Sequence, residues 1–287
     1  MHSRRTAIPY PILRQREGLF PRFSDAVALY ITRQLFYHTG MLRSCSTDVL
    51  ILAHRKRATR HRHLVLLSRE FGMIEAVAYG AKQGSLTGKI GQFVSGTCYL
   101  YRNPVRDSWK VEDMVPMRYR PYLMDSIELL YTASFISECI MKTYAGGGEH
   151  ANVLNLAEAA LDALEEPRNR EVTVIQFLWR LLEDAGFMQD SGICASCGRD
   201  PGASEPLYLE RDSLSLVCSS CGDSLMRGYA IGPGSRAYIR RSRSLPVSEA
   251  VRIGLEAESL RELKGLLICM ADAVTEGSLK TLSGGLV

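Results

Sequence analysis

Between residues 47 and 117 the chain is made of short apolar runs broken by turn residues. Their β-branched and aromatic content, with partial alternation of apolar and polar positions, predicts about five strands, at 48–54, 63–68, 72–79, 91–101 and 109–117. Five short strands in so little chain predict a small barrel. A Gly-rich, basic loop at 80–89, carrying Gly80, Gly84, Gly88, Lys82 and Lys89, joins the third and fourth. At Pro121 the apolar period changes from two to about 3.6. Leu123, Ile127, Leu130, Ser134, Ile140 and Met141 mark a helix entered at Pro121 and ended by Gly146-Gly147-Gly148. A second helix at 151–164 is stopped by Pro167, and a third at 172–185 ends at Gly186, a residue suited to a left-handed cap. Helical spacing returns at 248–273, so an insertion separates two parts of one bundle. The expected class is α+β: a five-stranded barrel over 44–120, a helical domain over 121–190 and 225–287, and an inserted module over 191–224.

Composition supports a folded chain. Of 287 residues, 46% are hydrophobic and 23% charged, a balance that excludes disorder and coiled coil. The longest uncharged apolar runs fall far short of the ~20 residues a bilayer requires, so no transmembrane helix is expected. The net charge of +4 is too small to name a partner, but its distribution is informative. Residues 1–43 carry +5, 44–63 carry +4, 64–120 carry +3, 121–190 carry −8, and 191–287 carry none. Any one basic cluster is as well explained by a solvated face. The front third taken whole points to a polyanion such as nucleic acid.

Residues 1–43 form an extension that is rich in arginine and poor in acid, with Pro9, Pro11 and Pro21 and no sustained apolar period. It reads as an Arg-rich targeting arm, as a flexible basic tail, or as the product of a start codon assigned too early; the third reading is favoured, with Met41 as the first residue.

Cys194-Ala195-Ser196-Cys197 and Cys218-Ser219-Ser220-Cys221 carry the strongest local signal. Each CxxC turn aims two sulfurs at one point, and two such turns on a hairpin supply the tetrahedral S₄ shell that Zn²⁺ prefers. Gly198 and Gly222 follow the pairs and let the backbone turn beneath the metal. Four thiolates leave no open position, so one structural zinc per chain is expected. Redox-active thiols and an iron–sulfur cluster are the weaker readings. The other four cysteines, Cys45, Cys98, Cys139 and Cys269, stand singly, which is not a secreted disulfide framework. With no signal-peptide pattern, a reducing cytoplasm is the expectation.

The run 54–63 places five fixed positive charges, Arg55, Lys56, Arg57, Arg60 and Arg62, beside His54, His61 and His63 between the first two strands. In an oligonucleotide-binding barrel this loop would be one of the two that clasp single strands. Its bland alternative is a solubilising hairpin tip. No carboxylate or cysteine accompanies the histidines locally, so a second metal site is not expected there. Lys82, Lys89, Arg102, Arg106 and Lys110 are further candidates for contact with phosphates. Tyr99 and Tyr101 share one face, and Trp109 opens the last strand; all three are expected chiefly as barrel core rather than as stacking platforms. The chain has no phosphate-binding P-loop, no zinc-deaminase pair of HxE with PCxxC, and no GxSxG, HExxH or GxGxxG after a strand, and none of the enzymes those motifs mark is implied.

The run Asp48-Val49-Leu50-Ile51-Leu52-Ala53, then 66–81 from Leu66-Leu67-Ser68-Arg69 to Tyr79-Gly80-Ala81, resembles the amino-terminal domain of RecO, a family of bacterial recombination mediators. The stretch 177–186 leading into the first cysteine pair, and the closing Gly277-Ser278-Leu279-Lys280-Thr281-Leu282, are similar to that family as well. The resemblance spans roughly 44–284 and implies an oligonucleotide-binding barrel, a helical domain and a zinc-ribbon insertion. It further implies a non-enzymatic protein that binds single- and double-stranded DNA and anneals complementary strands. With RecR, such a protein displaces or remodels single-strand-binding protein so that RecA can load. Two departures stand out. The family usually has acidic and Asp-Arg positions between the first two strands, where this chain has Thr59-Arg60-His61-Arg62-His63, and residues 1–40 have no family counterpart. Rival readings are a zinc-ribbon RNA-binding or ribosome-associated factor and a dithiol oxidoreductase using Cys194 and Cys197.

Overall fold

The computed structural model describes residues 43–55, 61–80, 84–143, 149–188, 192–202, 204–222, 228–275 and 278–285. Strands β1 (Ser44–Arg55), β2 (Arg62–Ser68), β3 (Gly72–Ala78), β4 (Ser95–Asn103) and β5 (Ser108–Arg118) close into a barrel in the order β1-β2-β3-β5-β4. Neighbours are antiparallel except β3 and β5. These run parallel and pair Ala76 with Trp109, Val77 with Lys110 and Ala78 with Val111. The expected five strands are all present, in the arrangement of an oligonucleotide-binding barrel.

Residues 49–52 show no alternation because both faces of β1 are covered. Val49 and Ile51 join Leu64, Leu66, Ile74, Leu100 and Met114 inside the barrel. Leu50 and Leu52 point the other way, into a core shared with the helices together with Val65, Leu67 and Phe93. A bulge between Ile51 and Ala53 is filled from the loop before β4, where Phe93 donates its N–H to the Ile51 carbonyl at 2.8 Å and Ile51 donates to the Val94 carbonyl at 3.0 Å. The Gly-rich loop closes one end of the barrel by burying Leu86 and Ile90, while residues 81–83 lie outside the described residues.

After a 3-10 turn at Pro121–Met124 come α1 (Ile127–Thr143), α2 (His150–Ala163), a second 3-10 turn at Pro167–Asn169 and α3 (Arg170–Asp184). Gly186 takes φ +78°, the left-handed cap anticipated at the end of α3. Pro167 does more than stop α2: it opens the 3-10 turn that leads into α3. The glycines at 146–148 lie outside the described residues. The inserted module holds β6 (Leu207–Glu210) and β7 (Ser215–Cys218), joined by β8 (Ala230–Ile231) in the order β7-β6-β8.

Two expectations need correction beyond this point. The helix expected at 248–273 is split into α5 (Val247–Ala250) and α6 (Ala257–Val274), with Gly254 in the connecting segment. A helix that was not expected, α4 (Pro233–Ser242), precedes them. Gly232-Pro233-Gly234 reads as a turn, yet Pro233 occupies the first helical turn, where its missing N–H is not needed. The inward face of α4 is Ser235, Arg236, Tyr238, Ile239 and Ser242, too polar to show an apolar period. Gln176 of α3 satisfies part of that face, donating to the Tyr238 hydroxyl at 2.9 Å and to Ser242 Oγ at 3.0 Å. Among the described residues, no helix is long and apolar enough to cross a membrane.

The barrel is fastened to the helices by side chains as well as by shared core. Arg120, with its side chain 1% exposed, donates to Asp162 of α2 at 2.7 Å, to the Phe93 carbonyl at 2.8 Å and to Ser95 Oγ at 3.2 Å. Arg118 shares the same carboxylate from the surface. Arg69 adds a link from the β2–β3 turn, donating to Asp48 at 3.3 Å and to Asn155 of α2 at 3.1 Å. The Phe93 carbonyl matters because Phe93 is fully buried and held at φ +63°, a backbone state that a bulky residue adopts only when its surroundings enforce it.

Candidate metal centre and nucleic-acid interface

Cys194, Cys197, Cys218 and Cys221 converge as their spacing required, with all four Sγ atoms within 4.8 Å of one another. A tetrahedral thiolate shell with bonds of about 2.3 Å has sulfur–sulfur edges of about 3.8 Å. Cys197 and Cys218 Sγ already stand 3.9 Å apart. The set can therefore hold one metal ion, and its four soft donors fit a closed structural site. Each knuckle is a tight turn: Gly198 donates to the Cys194 carbonyl at 2.9 Å and Gly222 to the Cys218 carbonyl at 2.9 Å. Gly198 needs its freedom, since it sits at φ +73°.

The hydrogen bonds around the sulfurs shift their ionisation unequally. The hydrogen bond from Arg199 is the main reason the Cys218 thiol is drawn down to about 6, burial opposing it. Burial raises the Cys194 thiol, but backbone N–H groups of Cys218, Cys197 and Ser196 outweigh it and the net shift is downward. The backbone N–H of Cys218 lies 3.2 Å from Cys194 Sγ. For Cys221 a hydrogen bond with Ser196 works downward, yet the bonds with Cys197 and Cys218 prevail and push it to about 12. A bound cation would supply the charge that lets all four sulfurs ionise together.

Glu205 braces the two knuckles against each other. It accepts from Arg199, beside the first pair, at 2.9 Å, and from the Ser219 hydroxyl and N–H, within the second pair, at 2.5 and 3.2 Å. Those hydrogen bonds, Ser219 Oγ foremost, hold its carboxyl below the usual glutamate range. Sequence spacing gave no sign of this brace, because Glu205 lies midway between the cysteine pairs with ordinary loop residues around it.

The proposed phosphate contacts are less uniform. Lys56, Arg57, Arg60 and Lys82 lie outside the described residues. Arg55 ends β1 half-exposed and pairs with Glu75 of β3 at 2.6 Å. Lys89 pairs with Asp113 at 2.8 Å, Arg102 with Asp107 at 3.0 Å, and Lys110 with Glu112 at 3.8 Å. Arg62 and Arg106 have no ion pair among the described residues. Four of the six described candidates thus have an acidic neighbour, which lowers the local field that counting positive residues alone suggests. All four pairs are at least one-third exposed on one side, so they are worth ~0–1 kcal/mol and are exchangeable for phosphate. Burial and the nearby Arg62 charge hold the His54 imidazole below its ordinary value, so His54 is neutral near pH 7.

The aromatic residues divide. Tyr99 is 45% exposed on the outer face of β4, so it is not core: the barrel interior in this strand is filled by Cys98 and Leu100. Tyr101 shares that outer face, half-buried. Trp109 is also half-buried, packed on Phe71 with centroids 5.3 Å apart and covered by the Arg102 guanidinium at 5.5 Å. Tyr79, 52% exposed, stacks obliquely on His61 with centroids 4.6 Å apart, where β2 begins and β3 ends. The barrel surface therefore carries both basic groups and two exposed rings, Tyr79 and Tyr99, the two kinds of group that single-stranded nucleic acid engages.

Comparison with known proteins adds a consistent finding. Residues 124–283 match the family model described as Recombination protein O C terminal. A protein of Desulfitobacterium hafniense named "DNA repair protein RecO" is 23% identical over 243 residues, covering 83% of this chain and 88% of that relative. Similarly named proteins of Desulforudis audaxviator and Anaeromyxobacter sp. are 25% and 22% identical over 184 and 208 residues, which is 63% and 72% of this chain and 72% and 82% of the relatives.

Proposed function

The chain belongs to the RecO family, and from that premise we propose that it is a non-enzymatic DNA repair and recombination mediator whose barrel grips the sugar–phosphate backbone. The observation that carries this reading is the pairing of a closed oligonucleotide-binding barrel with a hairpin of five basic residues and neighbouring exposed rings. Arg55, Lys56, Arg57, Arg60 and Arg62, with Lys82, Lys89, Arg102, Arg106 and Lys110, neutralise phosphates and release their counterions. Tyr99 and Tyr79 offer faces on which bases stack, each worth about 1–3 kcal/mol.

Annealing follows from the same charge, since two strands repel less when one cationic surface holds both. In the cell the partners are single- and double-stranded DNA, RecR and single-strand-binding protein, with RecA loading as the downstream event, in the cytoplasm at the nucleoid. The metal is one zinc ion held by Cys194, Cys197, Cys218 and Cys221, which supplies cross-linking and no chemistry. Arg199, Glu205 and Ser219 hold the two knuckles so that the four sulfurs meet.

A strand-annealing assay with complementary oligonucleotides, run with and without single-strand-binding protein across a salt series, tests the reading. Acceleration that weakens with salt and persists on coated strands is expected. Annealing at the uncatalysed rate in dilute buffer overturns it.

A further inference from the structure

Of the eight cysteines, Cys98, Cys139, Cys194 and Cys218 are buried, Cys45 and Cys269 are half-buried, and Cys197 and Cys221 are exposed. The two exposed thiols stand one in each knuckle, each paired in its knuckle with a buried one. Bracing alone does not call for exposed sulfur, because a structural cysteine shielded from solvent is chemically inert. Cys197 Sγ lies 3.9 Å from Cys218 Sγ, across from one knuckle to the other. The half-exposed Arg199 guanidinium is hydrogen-bonded to Cys218 and pairs with Glu205 at 2.9 Å. Access to solvent, a cationic neighbour and a second sulfur within reach are what make a cysteine oxidisable.

We propose that Cys197 is a peroxide-reactive modification site, resolved by Cys218 into a disulfide that joins the two knuckles and releases the metal. The inference rests on the metal reading of the four cysteines and adds a reaction to a centre assigned there only to bracing. The Cys197 thiolate attacks one oxygen of hydrogen peroxide: an S–O bond forms, the O–O bond breaks, and hydroxide leaves beside the Arg199 cation. The Cys218 thiolate then attacks the sulfenic sulfur, forming the S–S bond as the S–O bond breaks and a second hydroxide departs. Solvent protonates both hydroxides. Two thiolates have then given up two electrons, and peroxide with two protons has become two waters. Closing from 3.9 Å to the ~2.05 Å of a disulfide moves each sulfur by about 1 Å. The bond takes one ligand from each knuckle and leaves Cys194 and Cys221, too few donors for the four-coordinate shell of structural Zn²⁺. The loss extends beyond the ribbon. Glu205 holds Arg199 and Ser219 through its carboxylate, while the carbonyls of Gly202 and Glu205 accept from Arg236 of α4 at 2.9 and 2.8 Å. Slackening of the knuckles is therefore passed to a helix of the bundle.

The test treats the full, zinc-loaded chain with a small excess of hydrogen peroxide. Free zinc is followed with a chromogenic chelator, free thiols by a colorimetric count, and disulfides by peptide mapping. The expected result is loss of one zinc and two thiols per chain, a Cys197–Cys218 bridge, and recovery of both thiols and metal on adding dithiothreitol and zinc. Zinc retained under peroxide, zinc lost with only sulfinic or sulfonic acids, or a bridge that lacks Cys197 overturns the proposal. Cys197→His keeps a donor that zinc accepts but cannot form the disulfide, and is expected to hold its metal through the same treatment. Release as fast as in the wild type overturns the role of Cys197; should the variant take up no zinc, the peptide map of the wild type decides alone. The double variant Cys45→Ala with Cys269→Ala should respond as the wild type does, and protection of the metal there also overturns the assignment. A chain that binds no zinc at all sinks the metal reading itself, whereas bound zinc unmoved by peroxide sinks this inference alone.

Discussion

Arg118 and Arg120 approach one carboxylate, Asp162, and their different burial predicts very different consequences of removal. Arg120→Met retains most of the side-chain volume but deletes three donated bonds at a site where the side chain is 1% exposed. The Phe93 carbonyl, in a fully buried residue, loses its donor, at a cost of about 1–3 kcal/mol. Asp162 is one-third exposed and keeps Arg118, so its share is screened to about 1 kcal/mol. One nitrogen of the Arg120 guanidinium has no partner among the described residues, and relief of that desolvation offsets part of the loss. The expected total is about 2–4 kcal/mol. Arg118→Met, with its side chain 59% exposed, should cost about 0–1 kcal/mol. Urea unfolding compared at constant m-value reads both. An Arg120→Met protein within 1 kcal/mol of wild type, or an Arg118→Met protein equally weakened, would refute the reasoning that burial decides the worth of this clasp.

Two further predictions concern other parts of the chain. Cys218→Ser should lose stoichiometric zinc and open residues 192–222 to proteolysis, since metal binding orders such modules by on the order of 10 kcal/mol; a protease-resistant, metal-free variant would show that the ribbon folds unaided. Burial raises the Glu138 carboxyl, but hydrogen bonds from Thr281 and Lys280, which tie the C-terminal segment to α1, outweigh it and the net shift is below the ordinary 4.5. Because the folded value is depressed, the stabilisation is present above 4.5 and fades as pH falls through the folded value. Glu138→Gln should therefore be less stable than wild type at pH 7 and converge with it in strong acid, and a gap that persists at low pH would contradict this.

Much of the architecture was legible because strong local signals agreed with the tertiary outcome. The barrel strands carry β-branched runs with turn residues between them, and Gly186 sits where a left-handed cap was needed. The cysteine spacing specified its own geometry. What was hidden depends on partners distant in sequence. Tyr99 looks like core by residue type, and only the barrel closure reveals that its neighbours Cys98 and Leu100 take the interior. Arg120 and Asp162 are 42 residues apart. Helix α4 was missed because polar residues make up most of its buried face, with Gln176 and the ribbon carbonyls supplying their partners. Charge summed by segment also misled, since ion pairs absorb part of the barrel's basicity while folding exposes arginines within a neutral stretch.

The central claim is that the cationic barrel holds nucleic acid through its phosphates. Its most direct test is the salt dependence of single-stranded DNA affinity in the wild type and in the variant with Arg55, Lys56, Arg57, Arg60 and Arg62 replaced by Ala. The account predicts a steep wild-type slope that falls in magnitude by up to about 3.5 in the variant, at ~0.7 per phosphate released. Equal slopes in the two proteins would contradict it.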